Sequence, residues 1–178
     1  MNKKIEIGII GAGRWGPNVI GALRRLPEVN ANCIADVNQS SLEQLENRFD
    51  GINTFTDSTA LIESPEIDAI MVCTPVTTHL DLVEQALLHG KHVFVEKPFG
   101  QDPRKCTELC EIAETKKLSI MVGHVFLFNS SILELKKIID SGELGEIQHI
   151  EAHRTNLGPV RKDVNAVWDL TSHDVSIF

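Results

Sequence analysis

The stretch Ile5-Glu6-Ile7-Gly8-Ile9-Ile10-Gly11-Ala12-Gly13-Arg14-Trp15-Gly16 joins an apolar run directly to a glycine-rich loop, and a helical pattern follows it. The glycines have separable physical roles. Gly11 allows a tight strand-to-helix turn, Gly13 lets the backbone approach a pyrophosphate, and Gly16 lets the helix pack closely on the strand. The free N–H groups at the start of that helix would face the anion. The stretch therefore predicts a strand, loop and helix that bind a dinucleotide.

Asp36 supports this interpretation, because it closes the second predicted strand at twenty positions after Gly16. A carboxylate at that place can accept hydrogen bonds from the ribose hydroxyls of the adenosine. Val37 and Asn38 follow it, so neither Arg nor Lys stands where a 2′-phosphate would need a counter-charge. The sequence therefore predicts NAD rather than NADP as the cofactor.

Composition excludes several classes of partner. The chain has 178 residues, of which 42% are hydrophobic and 24% charged, which suits a globular protein with a sound core. Its 17 Lys and Arg against 25 Asp and Glu give a net charge of -8, which argues against nucleic acid and membrane surfaces as partners. No stretch predicts a signal peptide or a transmembrane helix. The four cysteines are Cys33, Cys73, Cys106 and Cys110. Their spacing fits neither a zinc site nor a disulfide framework, so we expect a cytoplasmic protein.

Strand-like and helix-like runs alternate along residues 1–123. The predicted strands are Ile5–Ile10, Ala31–Asp36, Thr54–Phe55, Ala69–Cys73, His92–Val95 and Ser119–Val122. The predicted helices between them are Gly16–Leu26, Gln39–Phe49, Ser58–Ile62, Val76–Leu88 and Asp102–Lys117. This alternation predicts an α/β fold with a doubly wound parallel Rossmann sheet. After this sheet, residues 124–178 are predicted to contain a helix at Ser130–Asp140 and a long strand at Glu146–Arg154.

Ligands of such folds sit at the carboxyl edge of the sheet, where chemically versatile residues follow two predicted strands. Thr74-Pro75 follows the fourth strand, with His79 one turn into the next helix, and Glu96-Lys97-Pro98 follows the fifth. Farther along the chain, Asp169 and His173 are four residues apart and share a face if the stretch is helical.

Five motifs, in register along the whole chain, resemble one enzyme family. They are the glycine loop, Thr74-Pro75, Glu96-Lys97-Pro98, Gly123-His124 and the pair of Asp169 and His173. Together they resemble the glucose-fructose oxidoreductase, inositol dehydrogenase and rhizopine catabolism family, Gfo/Idh/MocA. The segment 154–170 is particularly similar to members that act on nucleotide sugars, such as UDP-N-acetylglucosamine and UDP-N-acetylaminoglucuronate 3-dehydrogenases.

The resemblance implies that a secondary alcohol of a sugar or UDP-sugar is oxidised, with hydride passing to C4 of the nicotinamide. Such a step needs a base for the hydroxyl proton and a positive group near the oxygen. His173 is the candidate base, Asp169 could orient its ring, and Lys97 could stabilise the developing charge or relay the proton. The sequence leaves open whether Lys97 or His173 takes the proton first. The residues predicted to bind the cofactor are Gly11, Gly13, Arg14, Trp15, Gly16, Asp36, Thr74, Pro75, His79, Glu96 and Lys97.

The chain is short for this family, whose members continue past the position of Phe178 into a domain that covers the active site and usually forms the subunit interface. The resemblance therefore implies that residues 124–178 are the incomplete start of an α+β C-terminal domain for substrate binding and oligomerisation. The chain is then a truncated chain, a fragment or a decayed gene product, and its full-length form is a homo-oligomer. Two other hypotheses stay open: a dinucleotide-binding module without catalysis, and a scaffold unrelated to NAD. A module without catalysis has no physical need to keep Lys97, Asp169 and His173, and the intact glycine loop with Asp36 argues against the scaffold.

Overall fold

A computed structural model describes residues 3–155 and 163–178, and the chain divides into two compact units, Met1–Val122 and Gly123–Phe178. The first unit is built on a six-stranded sheet in the order β3-β2-β1-β4-β5-β6, with every neighbouring pair parallel. Its strands are β1 (Ile5–Ile10), β2 (Val29–Ala35), β3 (Asn53–Phe55), β4 (Ala69–Val72), β5 (His92–Val95) and β6 (Ile120–Val122). From β1 the chain adds strands first on one side and then on the other, so the topological switch point lies between β1 and β4.

Five helices connect these strands: α1 (Gly16–Leu23), α2 (Gln39–Glu46), α3 (Thr59–Ile62), α4 (His79–Leu88) and α5 (Pro103–Lys116). The side chains of Asn38 and Asp102 accept hydrogen bonds from backbone N–H groups in the first turns of α2 and α5. Both residue types favour helix starts because they satisfy donors that have no partner within the helix. A 3₁₀ turn at Val76–Thr78 precedes α4.

The sheet is covered on both faces, as a doubly wound fold requires. Side chains alternate along each strand, so Ile9 packs with α1 and α2 on one face while Ile10 packs with α3, α4 and α5 on the other. Ile34 and Ala35 of β2 divide between the two faces in the same way. The near-continuous apolar runs of the sequence are therefore explained by burial on both sides. The predicted Rossmann sheet is confirmed, and β1 and β5 have the predicted bounds.

The second unit contains a 3₁₀ turn at Val125–Phe128, then α6 (Ser130–Asp140), a π-helical turn at Val167–Thr171 and α7 (Ser172–Ile177). Asn129 caps α6 with its side-chain oxygen. The predicted helix at Ser130–Asp140 is confirmed to the residue. No helix in the described ranges is both long and apolar enough to cross a membrane.

The predicted strand at Glu146–Arg154 is wrong, because residues 146–154 form neither strand nor helix. All of their side chains are exposed except that of Arg154, which is half-buried. An extended segment is stabilised when a neighbouring strand satisfies its backbone groups, and no described segment pairs with this one. The apolar residues Ile147 and Ile150 of this segment are both exposed, so no apolar burial stabilises it as a strand.

Candidate functional site

The glycine loop follows β1 and has a geometry that only glycine permits at two positions. Gly11 has a φ of +108°, and a Cβ on it would lie 2.6 Å from the carbonyl oxygen of Cys73. A Cβ on Gly16 would lie 2.6 Å from the carbonyl oxygen of Gly11. These contacts are too short for any other residue, so Gly11 and Gly16 hold the turn from β1 into α1 tightly against the end of β4.

Gly13 differs from both, because no heavy atom of the described residues lies within 4 Å of a Cβ placed on it. Its backbone is exposed, as are the neighbouring side chains of Arg14 and Trp15, the latter at 61%. Nor does any described side chain cap the N-terminus of α1. The loop thus leaves open space beside backbone N–H groups that an anion can occupy.

Asp36 lies directly after β2 and is tied to this loop. Its Oδ2 accepts a hydrogen bond from the backbone N–H of Ala12 at 2.6 Å, and its Oδ1 accepts one from the N–H of Asn38 at 2.8 Å. The next side chain, Val37, is 93% exposed. The carboxylate is half-buried and fixed beside the glycine loop, where the sequence predicts it to receive ribose hydroxyls.

The ends of β4 and β5 bring the next set of predicted residues to the same edge of the sheet. Thr74 is half-buried and Pro75 exposed, and Thr78 donates a hydrogen bond from its hydroxyl to that of Thr74 at 2.7 Å. Glu96 and Lys97 are both half-buried, and a cis peptide bond joins Lys97 to Pro98. Because β4 and β5 are adjacent and parallel, these loops are neighbours at the carboxyl edge.

His79 is placed differently from the other predicted cofactor residues, since only 1% of it is exposed. Its Nδ1 lies 3.0 Å from the carbonyl oxygen of Pro98, and its Nε2 lies 2.9 Å from that of Thr74. The ring therefore contacts both loops and, because it is buried, has no open surface for a ligand in this structure.

Burial shifts the pKa values of two side chains at this edge of the sheet. Burial raises the pKa of Glu96, while a backbone hydrogen bond from Lys97 and the positive charges of Lys97 and His79 lower it in part. Burial, with the charge of Glu96, raises the pKa of the Cys73 thiol to about 12. Cys73 is therefore an inert thiol at neutral pH and is not a nucleophile.

The second unit holds the other two candidate catalytic residues, Asp169 and His173. The stretch is helical, but Asp169 lies in the π-helical turn and His173 near the start of α7. Such π-helical turns are rare in proteins, and those that occur are often found at functional sites. The rings of His173 and Phe126 meet edge to face, with 4.9 Å between their centroids.

Sequence reasoning missed a cluster next to His173. Arg154 donates from Nε and Nη2 to Oδ1 of Asp174 at 2.9 and 2.8 Å, and its guanidinium lies 4.5 Å from the centroid of the Phe126 ring. These residues are 20 and 28 positions apart from Arg154, and no local spacing signals such a contact. Residues 156–162, part of the segment that resembles nucleotide-sugar dehydrogenases, lie outside the described residues.

Comparison with known proteins agrees with the geometry of the first unit. The profile of a family described as an oxidoreductase family with an NAD-binding Rossmann fold matches residues 5–124. An inositol 2-dehydrogenase of Rhizobium meliloti is 27% identical over 175 residues, which cover 96% of this chain and 52% of the relative. The first unit is an NAD-binding Rossmann domain, and the open Gly13 with Asp36 beside it fits that cofactor.

Solved structures extend the likeness. An oxidoreductase from Klebsiella pneumoniae is similar with a TM-score of 0.87 at 28% identity, covering 99% of this chain and 50% of that one. The scyllo-inositol dehydrogenase from Lactobacillus casei, solved with NAD(H) and scyllo-inositol, has a TM-score of 0.75 at 27% identity, covering 81% and 43% of the two chains. The chain thus spans about half the length of the relatives that it matches.

Proposed function

Since the chain belongs to the Gfo/Idh/MocA family of oxidoreductases, we propose that the protein is an NAD-dependent dehydrogenase for a secondary alcohol on a sugar, cyclic polyol or nucleotide-sugar ring. The glycine loop carries this proposal, because Gly13 leaves room for a pyrophosphate while Asp36 stands at the end of β2 beside it. The inositol dehydrogenases among its relatives favour a ring substrate rich in hydroxyl groups.

The chain's own residues divide the task of holding the cofactor. The backbone around Gly13 and the N-terminus of α1 bind the pyrophosphate, and Asp36 accepts hydrogen bonds from the adenosine ribose. Arg14 and Trp15, exposed on the same loop, flank the bound cofactor. Thr74, Pro75 and Glu96, at the ends of β4 and β5, lie near the nicotinamide ribose in this proposal.

Bound NAD supplies the acceptor for the hydride that leaves the carbinol carbon. The hydroxyl proton passes to a side chain of the protein as the alcohol becomes a ketone, so charge and protons balance. His173 is the proposed base, and Asp169 is proposed to orient its ring and favour its charged form. Lys97 stabilises the negative charge that develops on the oxygen or relays the proton, and the order of the two proton acceptors is left open.

Two measurements test the proposal. Calorimetric titration with NAD and NADP establishes whether the dinucleotide binds, and the exposed Trp15 offers a fluorescence signal for the same event. The absorbance of reduced nicotinamide is then followed with a panel of inositols, free sugars and UDP-sugars. Reduction of NAD by one class supports a dehydrogenase for that class. Binding without reduction by any member supports a module without catalysis, and absence of binding contradicts the proposal.

A further inference from the structure

Both ring nitrogens of His79 lie within hydrogen-bond distance of carbonyl oxygens, and a neutral ring cannot donate to both. His79 is the first residue of α4 and is buried, with Nδ1 3.0 Å from the carbonyl oxygen of Pro98 and Nε2 2.9 Å from that of Thr74. A carbonyl oxygen only accepts hydrogen bonds, and a neutral imidazole has one N–H donor. With a neutral ring, one bare nitrogen would face a carbonyl oxygen in a buried place, which is costly. Both contacts are satisfied when both nitrogens donate.

The two carbonyl groups belong to neighbouring strand ends. Thr74 lies two residues beyond the end of β4, and Pro98 lies three residues beyond the end of β5. Glu96 and Lys97 stand between β5 and Pro98, so a bond to the Pro98 carbonyl constrains the segment that carries them. Thr74 is five positions and Pro98 nineteen positions from His79, so the ring cross-links two loops that are distant from each other in the chain.

The surroundings suit a ring that carries charge. Glu96 is half-buried and close enough for the charge of His79 to lower its pKa, against the larger effect of burial, which raises it. A buried cation is tolerated when hydrogen-bond acceptors and an opposite charge lie near it. Here two carbonyl oxygens and the Glu96 carboxyl provide them.

We propose that His79 is a positioning residue that donates from both ring nitrogens and so holds the loops after β4 and β5 in register for the nicotinamide end of the cofactor. It acts through the main chain of Thr74 and Pro98, and the direct cofactor contact that the sequence predicted is not needed. The part of this inference that concerns the cofactor rests on the proposed function. The part that concerns the cross-link does not.

The first experiment needs neither cofactor nor substrate. Nitrogen-15 NMR of the imidazole side chains distinguishes protonated from bare ring nitrogens, and the His79→Gln variant assigns the signals of this ring. We expect both nitrogens of His79 to be protonated at neutral pH. One bare nitrogen at neutral pH overturns the proposal, whatever the protein binds.

The second experiment measures what the cross-link holds. His79→Gln, which cannot donate at both ends, should increase amide hydrogen exchange at Glu96, Lys97, Phe99 and Gly100. It should also weaken NAD binding by about tenfold or more, because small displacements of a binding group are costly. His89→Gln is the matched control, since His89 stands at the other end of α4, is exposed, and contacts only the carbonyl of Gln85 and distantly Glu63 among the interactions described. Exchange and NAD affinity equal to those of the parent in His79→Gln overturn the proposal.

The two experiments separate this inference from the proposed function. If the parent chain does not bind NAD, the proposed function fails, while doubly protonated His79 and faster exchange in the variant still support the cross-link. If NAD binds and the ring is singly protonated, the proposed function stands and the inference fails. Should His79→Gln not fold, the NMR measurement on the parent, with its signals assigned by elimination of the other six histidines, decides.

Discussion

Oδ2 of Asp36 accepts a hydrogen bond from the backbone N–H of Ala12 at 2.6 Å, which joins the end of β2 to the glycine loop. Its second oxygen accepts from the N–H of Asn38 at 2.8 Å. The carboxylate is therefore held in place by the fold itself and does not have to be ordered by its ligand. Such preorganisation lowers the entropic cost of binding. In its proposed role at the adenosine ribose, the carboxylate would also place a negative charge where a 2′-phosphate would come.

Exchanging this carboxylate for a basic neighbour should change the cofactor preference. We expect the parent chain to bind NAD more tightly than NADP, and Asp36→Ser combined with Val37→Arg to narrow or reverse the difference. The arginine has room, because Val37 is 93% exposed. Calorimetric titration with both cofactors measures the ratio of the two dissociation constants.

The single variants are the controls for this prediction. Val37→Ala should leave the ratio unchanged, because that side chain makes no charged contact in either case. Asp36→Asn should reduce the discrimination without reversing it, because it removes the repulsive charge but adds no partner for a phosphate. A parent chain that prefers NADP would contradict the assigned role of Asp36.

Two glycines of the loop should respond in opposite ways to alanine. At Gly13 a Cβ meets no heavy atom of the described residues within 4 Å, so Gly13→Ala should fold like the parent but bind NAD at least tenfold more weakly, because the methyl group occupies the space of the pyrophosphate. At Gly11 the Cβ would lie 2.6 Å from the Cys73 carbonyl oxygen, and φ is +108°. Gly11→Ala should therefore lower the melting temperature.

Thermal unfolding and NAD titration of the two variants test this contrast. Gly51→Ala is a control for the cost of a left-handed conformation alone, since that glycine has a φ of +69° and its Cβ meets no described atom within 4 Å. The stability loss in Gly11→Ala should exceed that in Gly51→Ala. Parent-like NAD affinity in Gly13→Ala would show that the pyrophosphate does not lie against this residue.

The sequence predicts much of the fold because burial leaves a pattern in the chain. Runs such as Ile5–Ile10 and His92–Val95 are short and apolar, and the structure places them in a sheet covered on both faces. The segment 146–154 also carries apolar residues, among them Ile147 and Ile150, but a strand depends on a partner, which its own residues do not specify. The hydrophobic pattern of the sequence therefore predicts secondary-structure elements better than it predicts which strands pair.

The candidate site likewise contains residues that the sequence predicts and residues that it does not. The glycine loop and Asp36 are recognisable because their roles depend on residue type and spacing. The two acceptors of His79 are backbone oxygens, which every residue has, so no side-chain pattern signals them. Arg154 and Asp174 meet through their side chains, but they are 20 residues apart, and no local spacing signals such a contact.

The proposed chemistry can be tested by removing its two proton-handling groups. In an active form of the protein, His173→Ala and Lys97→Ala should each lower kcat by roughly 10²–10⁴, because general acid–base catalysis and charge stabilisation act in the transition state. The affinity for NAD should change little in either variant. Steady-state kinetics with NAD titration separates the two effects.

Lys136→Ala serves as the control for loss of a lysine, since Lys136 is exposed on α6 and pairs with Asp140. Its kcat should equal that of the parent. Parent-like turnover in His173→Ala or in Lys97→Ala would remove that residue from the mechanism, and a large loss of NAD affinity without a change in kcat would reassign it to cofactor binding.

Arg154 should control the pKa of Asp174 and, through the Phe126 ring, the environment of the His173 ring. The hydrogen bonds from Arg154 are the largest effect and lower the pKa of Asp174 from its ordinary value of 3.8. Burial opposes them with a smaller effect, and the positive charges of Arg154 and His173 lower the pKa further. Because the folded-state pKa is lowered, the stabilisation is complete above the ordinary pKa and is lost as the pH falls through the lowered value. The pair should therefore hold at neutral pH and break only in acid.

Arg154→Gln should raise the pKa of Asp174 towards 3.8, as measured by carbon-13 NMR of its carboxyl group during a pH titration. The same change removes the cation from the Phe126 ring, whose edge-to-face partner is His173, so the ring signals of His173 should shift as well. Lys136→Gln breaks an exposed ion pair on α6 and should move neither signal. In an active form of the protein we expect Arg154→Gln to lower kcat by about tenfold, less than His173→Ala, because a base that is less well oriented still accepts protons. An unchanged Asp174 titration in Arg154→Gln would show that the ion pair does not persist in solution. Unchanged His173 signals would show that the loss of the Arg154 cation is not transmitted to His173 through Phe126.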